Sequence, residues 1–431
     1  MNRIIDRLKS KTAKDSVLVL SGNLVSQALS LLVVIVIGRF LSVAEYGVYS
    51  VLNNISSFIT DMADMGMNGA ITRFVAEYRG KGEIDKEHQL INYSIHRKTI
   101  NLVIVFTILI ICARPIAEYW LHNASLYRYI YIIIVTCGFT LFVSALKAVL
   151  QGRQEFNKYF ISTIMANSVW CGSIIIMALT NRISVFSSIL SNVVSGAVNL
   201  FLCIFLVKVD ENEIRKNRII DSELKKKFNA FGLWMLLWSV FAILQSKLDV
   251  FMLATFTTSE QVSYYDIASK VIKPILMVVS AYAQVLNPQL ASMDSTKLKA
   301  KIKTVAKFIL IVSVMIVFAI LAVRPLITLV FRNKYDNAII PAQLLLFAII
   351  FFVWTIPFNS ALYALNKPYI FSMAAFVGLV VTAIGDYLLL GKYGAIGAAY
   401  TYIAAQIVGL IIALGAYILI VIRRKGGNVG I

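Results

Sequence analysis

The sequence predicts an all-α integral membrane protein with about twelve transmembrane helices in two six-helix lobes. Hydrophobic residues make up 59% of its 431 residues and charged residues 15%, against about 45–50% and about 25% in soluble domains. Apolar runs repeatedly reach the roughly 20 residues that a helix needs to cross the hydrocarbon. Runs such as 102–112 and 308–323 are continuous and do not alternate in polarity, which favours helices over barrel strands.

Twelve spans can be placed along the chain. Their predicted ranges are 17–41, 45–68, 91–113, 126–150, 158–180, 184–207, 229–256, 261–287, 304–329, 340–363, 368–390 and 395–422. The second, seventh and eighth spans contain ionisable residues, so a hydropathy window alone would not recognise them as spans. The first is too long for the apolar region of a signal peptide, and no small-residue cleavage pattern follows it, so we expect it to be a retained span.

Basic residues are distributed unevenly between the two sides of this topology. With the N-terminus inside, most Lys and Arg fall in the segments predicted to be cytoplasmic, including the seven in 208–228. This is the positive-inside pattern, and it accounts for a net charge of +19 without nucleic acid as a partner. We therefore expect an inner-membrane protein with both termini in the cytoplasm. All four cysteines lie in apolar runs, so we expect no disulfide.

The second half of the chain repeats features of the first. The segment 45–49 (Glu-Tyr-Gly-Val-Tyr) aligns with 260–264 (Glu-Gln-Val-Ser-Tyr), and Arg114-Pro115 aligns with Arg324-Pro325. Six spans per half is an even number, so both halves have the same orientation, a parallel repeat typical of transporters. The predicted N-terminal lobe, cytoplasmic linker and C-terminal lobe cover 1–207, 208–228 and 229–431.

Polar residues within the spans are the candidates for function, because ionisable side chains in hydrocarbon are costly and usually face a cavity or a partner. Many recur at three- or four-residue spacing, which places them on one face of a helix. The predicted cavity and ion-coupling residues are Asn23, Gln27, Asn53, Asp61, Asp64, Asp249 and Asp266. The predicted cations for an anionic head group are Lys247, Lys270, Lys273 and Arg39.

Two interpretations of these residues stay open. In the first, they line a hydrated cavity between the halves, where the carboxylates balance charge or carry a coupling ion. In the second, Asp266 and Lys270 at i and i+4 neutralise each other, and other polar groups join helices. Arg39 lies at the outer end of its span, which also fits an ordinary interfacial arginine.

Signatures of enzymes are absent from the sequence. It has no Gly-x-x-x-x-Gly-Lys-Ser/Thr phosphate loop and no His-Glu-x-x-His motif, and its three histidines are scattered. We therefore expect no catalytic centre, no metal and no cofactor. Coupling to protons, to sodium ions or to the membrane potential stays open.

Three segments carry a resemblance to a known family. Residues 38–49, the segment Arg324–Ile327 followed by Asn333-Lys334-Tyr335, and residues 393–399 occur in the order found in Wzx-type polysaccharide-unit flippases. These flippases form the polysaccharide transport branch of the multidrug/oligosaccharidyl-lipid/polysaccharide exporter superfamily, and the likeness covers nearly the whole chain. Twelve spans also fit this branch better than the peptidoglycan-precursor flippases, which usually have fourteen. At Asp386 the family pattern leads us to expect Asn or another neutral residue.

The resemblance implies a non-enzymatic flippase. It would move undecaprenyl-diphosphate-linked oligosaccharide, such as an O-antigen unit of lipopolysaccharide, from the cytoplasmic to the outer leaflet by alternating access. Its implied partners are this lipid-linked substrate, the bilayer, and polysaccharide polymerase and chain-length proteins; we expect a monomer. Two alternatives stay open: a multidrug or cation antiporter of the same superfamily, whose cavity should be mainly acidic, and a polysaccharide polymerase or ligase, which should have long outside loops.

Overall fold

The protein is built from long helices in a computed structural model that describes residues 11–120, 122–207, 240–241, 243–291, 295–364 and 369–426. The predicted linker 208–228 and the start of the predicted span 229–256 lie outside the described residues. Residue contacts divide the chain into two units, Met1–Ile243 and Leu244–Ile431, called here the N-terminal unit and the C-terminal unit. The lobe boundaries drawn from the sequence stay predictions.

The N-terminal unit contains seven described helices. They are α1 Lys11–Phe40, α2 Val43–Asp64, α3 Met67–Gly80, α4 Ile84–Trp120, α5 Tyr127–Gly152, α6 Phe156–Leu179 and α7 Val185–Val207. Helix α1 packs along α6, and α5 packs against α3, α4 and α7. A buried apolar cluster joins α3 to α5 through residues such as Ile71, Val75, Leu146 and Val149, because both helices turn their apolar stripes toward each other.

The C-terminal unit contains five described helices. They are α8 at 243–256, α9 Ser259–Ala291, α10 Ser295–Phe331, α11 Ile339–Ala364 and α12 Tyr369–Gly426. Helix α11 packs against α9, α10 and α12. Helix α12 covers the last two predicted spans, and its interruption at Gly394 (φ 54°, ψ −132°) falls between them.

Many of these helices have the length and composition of membrane spans. Among the described residues, eight helices are long and apolar enough to cross a membrane. They include Ile84–Tyr119, Tyr127–Gly152 and Val305–Phe331, and the segment Met373–Ile420 covers both parts of α12. Among the described residues, α2 and α9 do not meet this criterion, and both carry the ionisable residues that weakened the hydropathy signal in the sequence. The described part of α8, 243–256, is shorter than the criterion requires. The all-helical membrane fold predicted from the sequence is confirmed.

The corner between α1 and α2 lies in the segment 38–49, and a helix cap determines its shape. Ser42 caps α2: its hydroxyl accepts the backbone N–H of Glu45 at 3.2 Å, and the Glu45 carboxylate accepts the N–H of Ser42 at 2.8 Å. This reciprocal capping box stabilises the start of the helix. Tyr46 and Tyr49 then point into the N-terminal unit and are 0% and 2% exposed.

A break separates α2 from α3 at Met65 and Gly66, which have φ angles of 50° and 69°. The predicted second span, 45–68, crosses this break, and the helical path continues to Gly80 in α3. Glycine adopts positive φ at little cost, whereas a methionine there is strained. Side chains from α4 and α5 hold the break in place, as described below.

Candidate functional site

The C-terminal unit buries two carboxylates contributed by different helices. Asp249 on α8 is 7% exposed and Asp386 on α12 is 0% exposed. The Tyr265 phenol on α9 donates a hydrogen bond to Asp249 Oδ2, and the Thr401 hydroxyl on α12 donates to Asp386 Oδ1 at 2.6 Å. Helices α8, α9 and both parts of α12 therefore converge on one pair of acids, called here the carboxylate pair.

In the part of the chain that the structure describes, one oxygen of each carboxylate has no hydrogen-bond partner outside the pair. Asp249 Oδ1 and Asp386 Oδ2 are buried and accept no hydrogen bond from the described residues, while the two carboxyl groups interact directly with each other. Two adjacent carboxylates in a medium of low dielectric cannot both stay ionised without a compensating cation. The arrangement is therefore suited to holding one shared proton or one small cation between the two groups.

Neutral oxygen atoms add to the carboxylate pair. The Gly397 carbonyl oxygen lies 2.7 Å from the Thr401 hydroxyl, so this hydroxyl stands between Gly397 and Asp386. Carboxylate, hydroxyl and carbonyl oxygens are the donors that hard cations prefer. The sequence predicted a coupling role for Asp249. At position 386 the family resemblance led us to expect a neutral residue, and this chain has an aspartate there. It did not predict that the two meet, because they lie far apart in the chain.

The predicted cations of the C-terminal unit are arranged differently. Lys270 Nζ lies 2.7 Å from Asp266 Oδ2, one helical turn away, and their side chains are 14% and 7% exposed. This is the neutralising i, i+4 pair of the second interpretation. Lys273 is exposed at the next turn, and Lys247 is half-buried on α8. A role for these lysines and for Asp266 in binding an anionic head group stays a prediction.

Tyr335 is buried near Asp266, in the turn that follows α10. Arg332 and Asn333 both have positive φ angles, and this tight turn directs Tyr335 into the C-terminal unit, where it is 0% exposed. Its ring packs edge-on against Phe331 and Tyr264. Burial, with Asp266 nearby, raises the pKa of the Tyr335 phenol, so the hydroxyl stays neutral. The segment Asn333-Lys334-Tyr335 singled out in the sequence is thus an anchor for the turn.

Asp64 of the N-terminal unit belongs to a buried ion pair that the sequence did not reveal. Lys98 on α4 has a fully buried side chain, and its Nζ lies 2.6 Å from Asp64 Oδ1. The same ammonium donates to Asn68 Oδ1 at 2.7 Å and to Ser144 Oγ at 3.2 Å. These are the three nearest acceptors for its three hydrogens, and the Leu141 carbonyl oxygen lies farther away at 3.5 Å. Lys98 therefore ties α4 and α5 to the break between α2 and α3. A lysine at this depth of a predicted span was the available signal.

The other predicted residues of the N-terminal unit do not gather at one place. Asn53 lines a small cleft with Ser56, Thr136 and Asn192, with about 240 Å³ of empty space including its open mouth. Asp61 is exposed on α2, one helical turn before Asp64. Asn23 is half-buried and Gln27 exposed on α1, and Arg39 is exposed at the end of that helix. Their predicted cavity role stays a prediction.

These features define a class of protein. Many long apolar helices, with ionisable groups paired inside them, are typical of a polytopic membrane protein. The chain belongs to the family described as Polysaccharide biosynthesis protein, whose match covers residues 12–294. The superfamily resemblance drawn from the sequence is thereby supported.

Relatives and solved structures agree with this assignment. Two uncharacterized membrane proteins of Methanocaldococcus jannaschii are each 24% identical: MJ1068 over 82% of this chain and 73% of its own length, and MJ1375 over 95% and 98%. An inward-facing multidrug resistance MATE family transporter of the MOP superfamily has a TM-score of 0.72 at 15% identity, over 95% of this chain and 98% of its own. Lipid II flippase MurJ in an inward closed conformation has a TM-score of 0.72 at 14% identity, over 93% and 87%. At these identities the structures establish the fold alone.

Proposed function

We propose that the protein is a flippase for oligosaccharides linked to a polyprenyl diphosphate such as undecaprenyl diphosphate, moving them from the cytoplasmic to the outer leaflet by alternating access. The family is one of polysaccharide biosynthesis, and a lipid flippase shares the fold. The observation that carries the proposal is the family match over residues 12–294. The carboxylate pair supplies a site for a coupling ion, because a membrane protein retains such a costly group when it binds something that neutralises it. The glycan would be an O-antigen repeat or a similar unit.

The carboxylate pair would bind the coupling ion. A proton or a sodium ion between Asp249 and Asp386 would neutralise one charge and draw α8 and α12 together, and its release would leave two repelling carboxylates. A site whose helices attract each other when loaded and repel when empty gives an ion gradient a means of biasing conformation. The membrane potential would add about 2.3 kcal/mol per 100 mV for each negative charge carried outward.

The remaining predicted residues have proposed roles in this scheme. Lys247, Lys270, Lys273 and Arg39 would meet the diphosphate, and the polar side chains of α1 and α2 would meet the glycan. The protein would act as a monomer in the cytoplasmic membrane with both termini inside, beside polymerase and chain-length proteins. No enzymatic step is required, since translocation breaks no bond.

A second candidate function is export of small cations by a multidrug antiporter. One observation favours it: a buried acidic pair could bind a cationic compound, and a multidrug resistance transporter shares the fold. The predicted cations Lys247 and Lys273 argue for an anionic substrate instead. Drug susceptibility of a strain lacking the gene separates the two, because only the antiporter predicts a change there with surface polysaccharide intact.

The proposal is tested by replacing the carboxylate pair. Asp249→Asn and Asp386→Asn should each reduce export of the lipid-linked unit by roughly tenfold or more, because a coupling free energy of a few kcal/mol is lost. Surface polysaccharide is measured in a strain lacking the native gene, with membrane levels of each variant checked. Glu118→Gln is the matched control, since Glu118 forms an exposed ion pair with Arg114. Normal polysaccharide in the strain without the gene would refute the proposed function.

A further inference from the structure

Lys147 is a half-buried cation of the N-terminal unit with neutral partners. It lies in the last two turns of α5, which ends at Gly152. Its Nζ donates to the Thr163 hydroxyl on α6 at 2.8 Å and lies 5.4 Å from the centre of the Tyr159 ring. Thr163 in turn donates to the Tyr159 carbonyl oxygen at 2.9 Å. Among the described residues, no carboxylate forms an ion pair with Lys147.

Other buried cations of the same unit are neutralised directly. Lys98 has Asp64 at 2.6 Å. Arg153 has the fully buried Glu87 at 2.5 Å, and it also donates to the carbonyl oxygen of Val207 at the end of α7. A charge withdrawn from water without a counter-charge is unfavourable, so the difference sets Lys147 apart from the cations that join helices.

The surroundings of Lys147 suit a phosphate. One of its three N–H groups is used by Thr163, which leaves two donors for an oxyanion. Lysine binds phosphate as a compact point charge, and the neighbouring hydroxyl and aromatic ring add no negative charge that would repel an anion. A lysine near the end of a span also reaches the depth at which lipid head groups lie.

We propose that Lys147, supported by Thr163 and Tyr159, binds the phosphate of a lipid head group. The inference rests on the proposed function in one respect: the source of the phosphate would be the diphosphate of the carried lipid. An anionic phospholipid of the bilayer offers the same chemistry, so the experiment must separate the two sources. Lys147 lies in the N-terminal unit, whereas Lys247, Lys270 and Lys273 belong to the C-terminal unit.

The test measures lipid retention by the full chain in nanodiscs of phosphatidylcholine. One titration uses undecaprenyl diphosphate and a second uses phosphatidylglycerol, each for the wild type and for four variants. Lys147→Gln should weaken retention of the diphosphate by about tenfold or more, because hydrogen bonds to a charged group are lost. Lys147→Arg should retain most binding, and Thr163→Val should weaken it by about fivefold through loss of one positioning contact.

Lys158→Gln is the matched control. Lys158 lies one residue before Tyr159 but is already paired with Glu155 at 2.7 Å, so its removal should leave retention unchanged. Lys147→Gln could fail to reach the membrane. In that case, weaker diphosphate retention by Thr163→Val together with near-normal retention by Lys147→Arg supports the site, and unchanged retention by Thr163→Val counts against it.

The outcomes are distinct. Dependence on Lys147 for the diphosphate alone supports the inference with the carried lipid as the source. Equal dependence for phosphatidylglycerol supports a phosphate site but overturns its assignment to the carried lipid. Wild-type binding that Lys147→Gln and Thr163→Val leave unchanged overturns the inference and spares the proposed function. A wild type that retains no diphosphate lipid counts against the proposed function itself.

Discussion

Ionisable residues inside the helices fall into two groups according to whether their partners satisfy them. The Lys98 ammonium meets a carboxylate, an amide oxygen and a hydroxyl, so nothing is left for a ligand to do. Among the described residues, two buried oxygens of the carboxylate pair receive no hydrogen bond. A satisfied group stabilises the fold, whereas an unsatisfied group in hydrocarbon is kept for binding. This distinction, together with the contact between two carboxyl groups, is why we propose a function for Asp249 and Asp386.

The ion pair between Lys98 and Asp64 should contribute to stability. Lys98→Met should lower the apparent melting temperature in detergent by roughly 5–15 °C, because the half-buried Asp64 loses its counter-charge at a cost of up to about 3–5 kcal/mol. Adding Asp64→Asn should recover part of the loss, since both charges are then gone. Lys158→Met, at a partly exposed ion pair between neighbouring turns, should change little. A stable Lys98→Met protein would contradict the structural role.

The interruption of helix α12 depends on a glycine and on a side chain from α9. Gly394 has φ 54° between the two parts of α12, and the side-chain oxygen of Gln261 on α9 accepts the N–H of Ala395 at 2.9 Å. This bond satisfies one of the donors exposed at the start of the second part. The same Gln261 would meet a side chain at position 394, so two independent features require glycine there.

Gly394→Ala should therefore destabilise the protein by about 1–3 kcal/mol, through a strained positive φ and displacement of Gln261. Thermal unfolding in detergent measures the effect. Gly391→Ala is the control three residues earlier, where a Cβ would meet no atom within 4 Å, and it should be neutral or slightly stabilising. Equal behaviour of the two variants would show that the interruption does not depend on glycine.

The sequence predicted the spans better than their interruptions. The range 126–150 corresponds to Tyr127–Gly152 and 340–363 to Ile339–Ala364, because long apolar runs leave few alternatives. The break at Met65 and Gly66 was not predicted, because its partners are distant in sequence: Lys98 binds Asn68, and Asn101 donates to the Ala63 carbonyl oxygen at 3.1 Å. Local pattern cannot reveal a bond formed by tertiary packing.

The internal repeat is the feature of the whole chain that sequence and structure share. Helices α4 and α10 are each 37 residues long, and each contains the proline of its Arg-Pro pair near its end. The corner at Ser42 and the start of α9 at Ser259 likewise begin corresponding helices. The repeat could be recognised from short motifs because these residues shape the ends of helices.

The candidate site was only partly predictable. Asp249 could be chosen because an acid in an apolar span is conspicuous. Its partner Asp386 is distant in sequence, on α12, the last helix of the C-terminal unit. The stripes on α1 and α2 were expected to share one cavity, whereas Asp64 is bound to Lys98 and Asn53 lines a separate cleft. Periodicity identifies a helix face but not what that face meets.

The central claim is that the carboxylate pair couples an ion to the movement of a lipid-linked oligosaccharide. Its most direct test is flipping of a fluorescent undecaprenyl-diphosphate-linked oligosaccharide in proteoliposomes under an imposed sodium or proton gradient. We predict that one of the gradients accelerates flipping by the wild type and by Glu118→Gln, and that Asp249→Asn flips slowly without responding to either. Acceleration of Asp249→Asn by the same gradient to the wild-type rate would contradict the account.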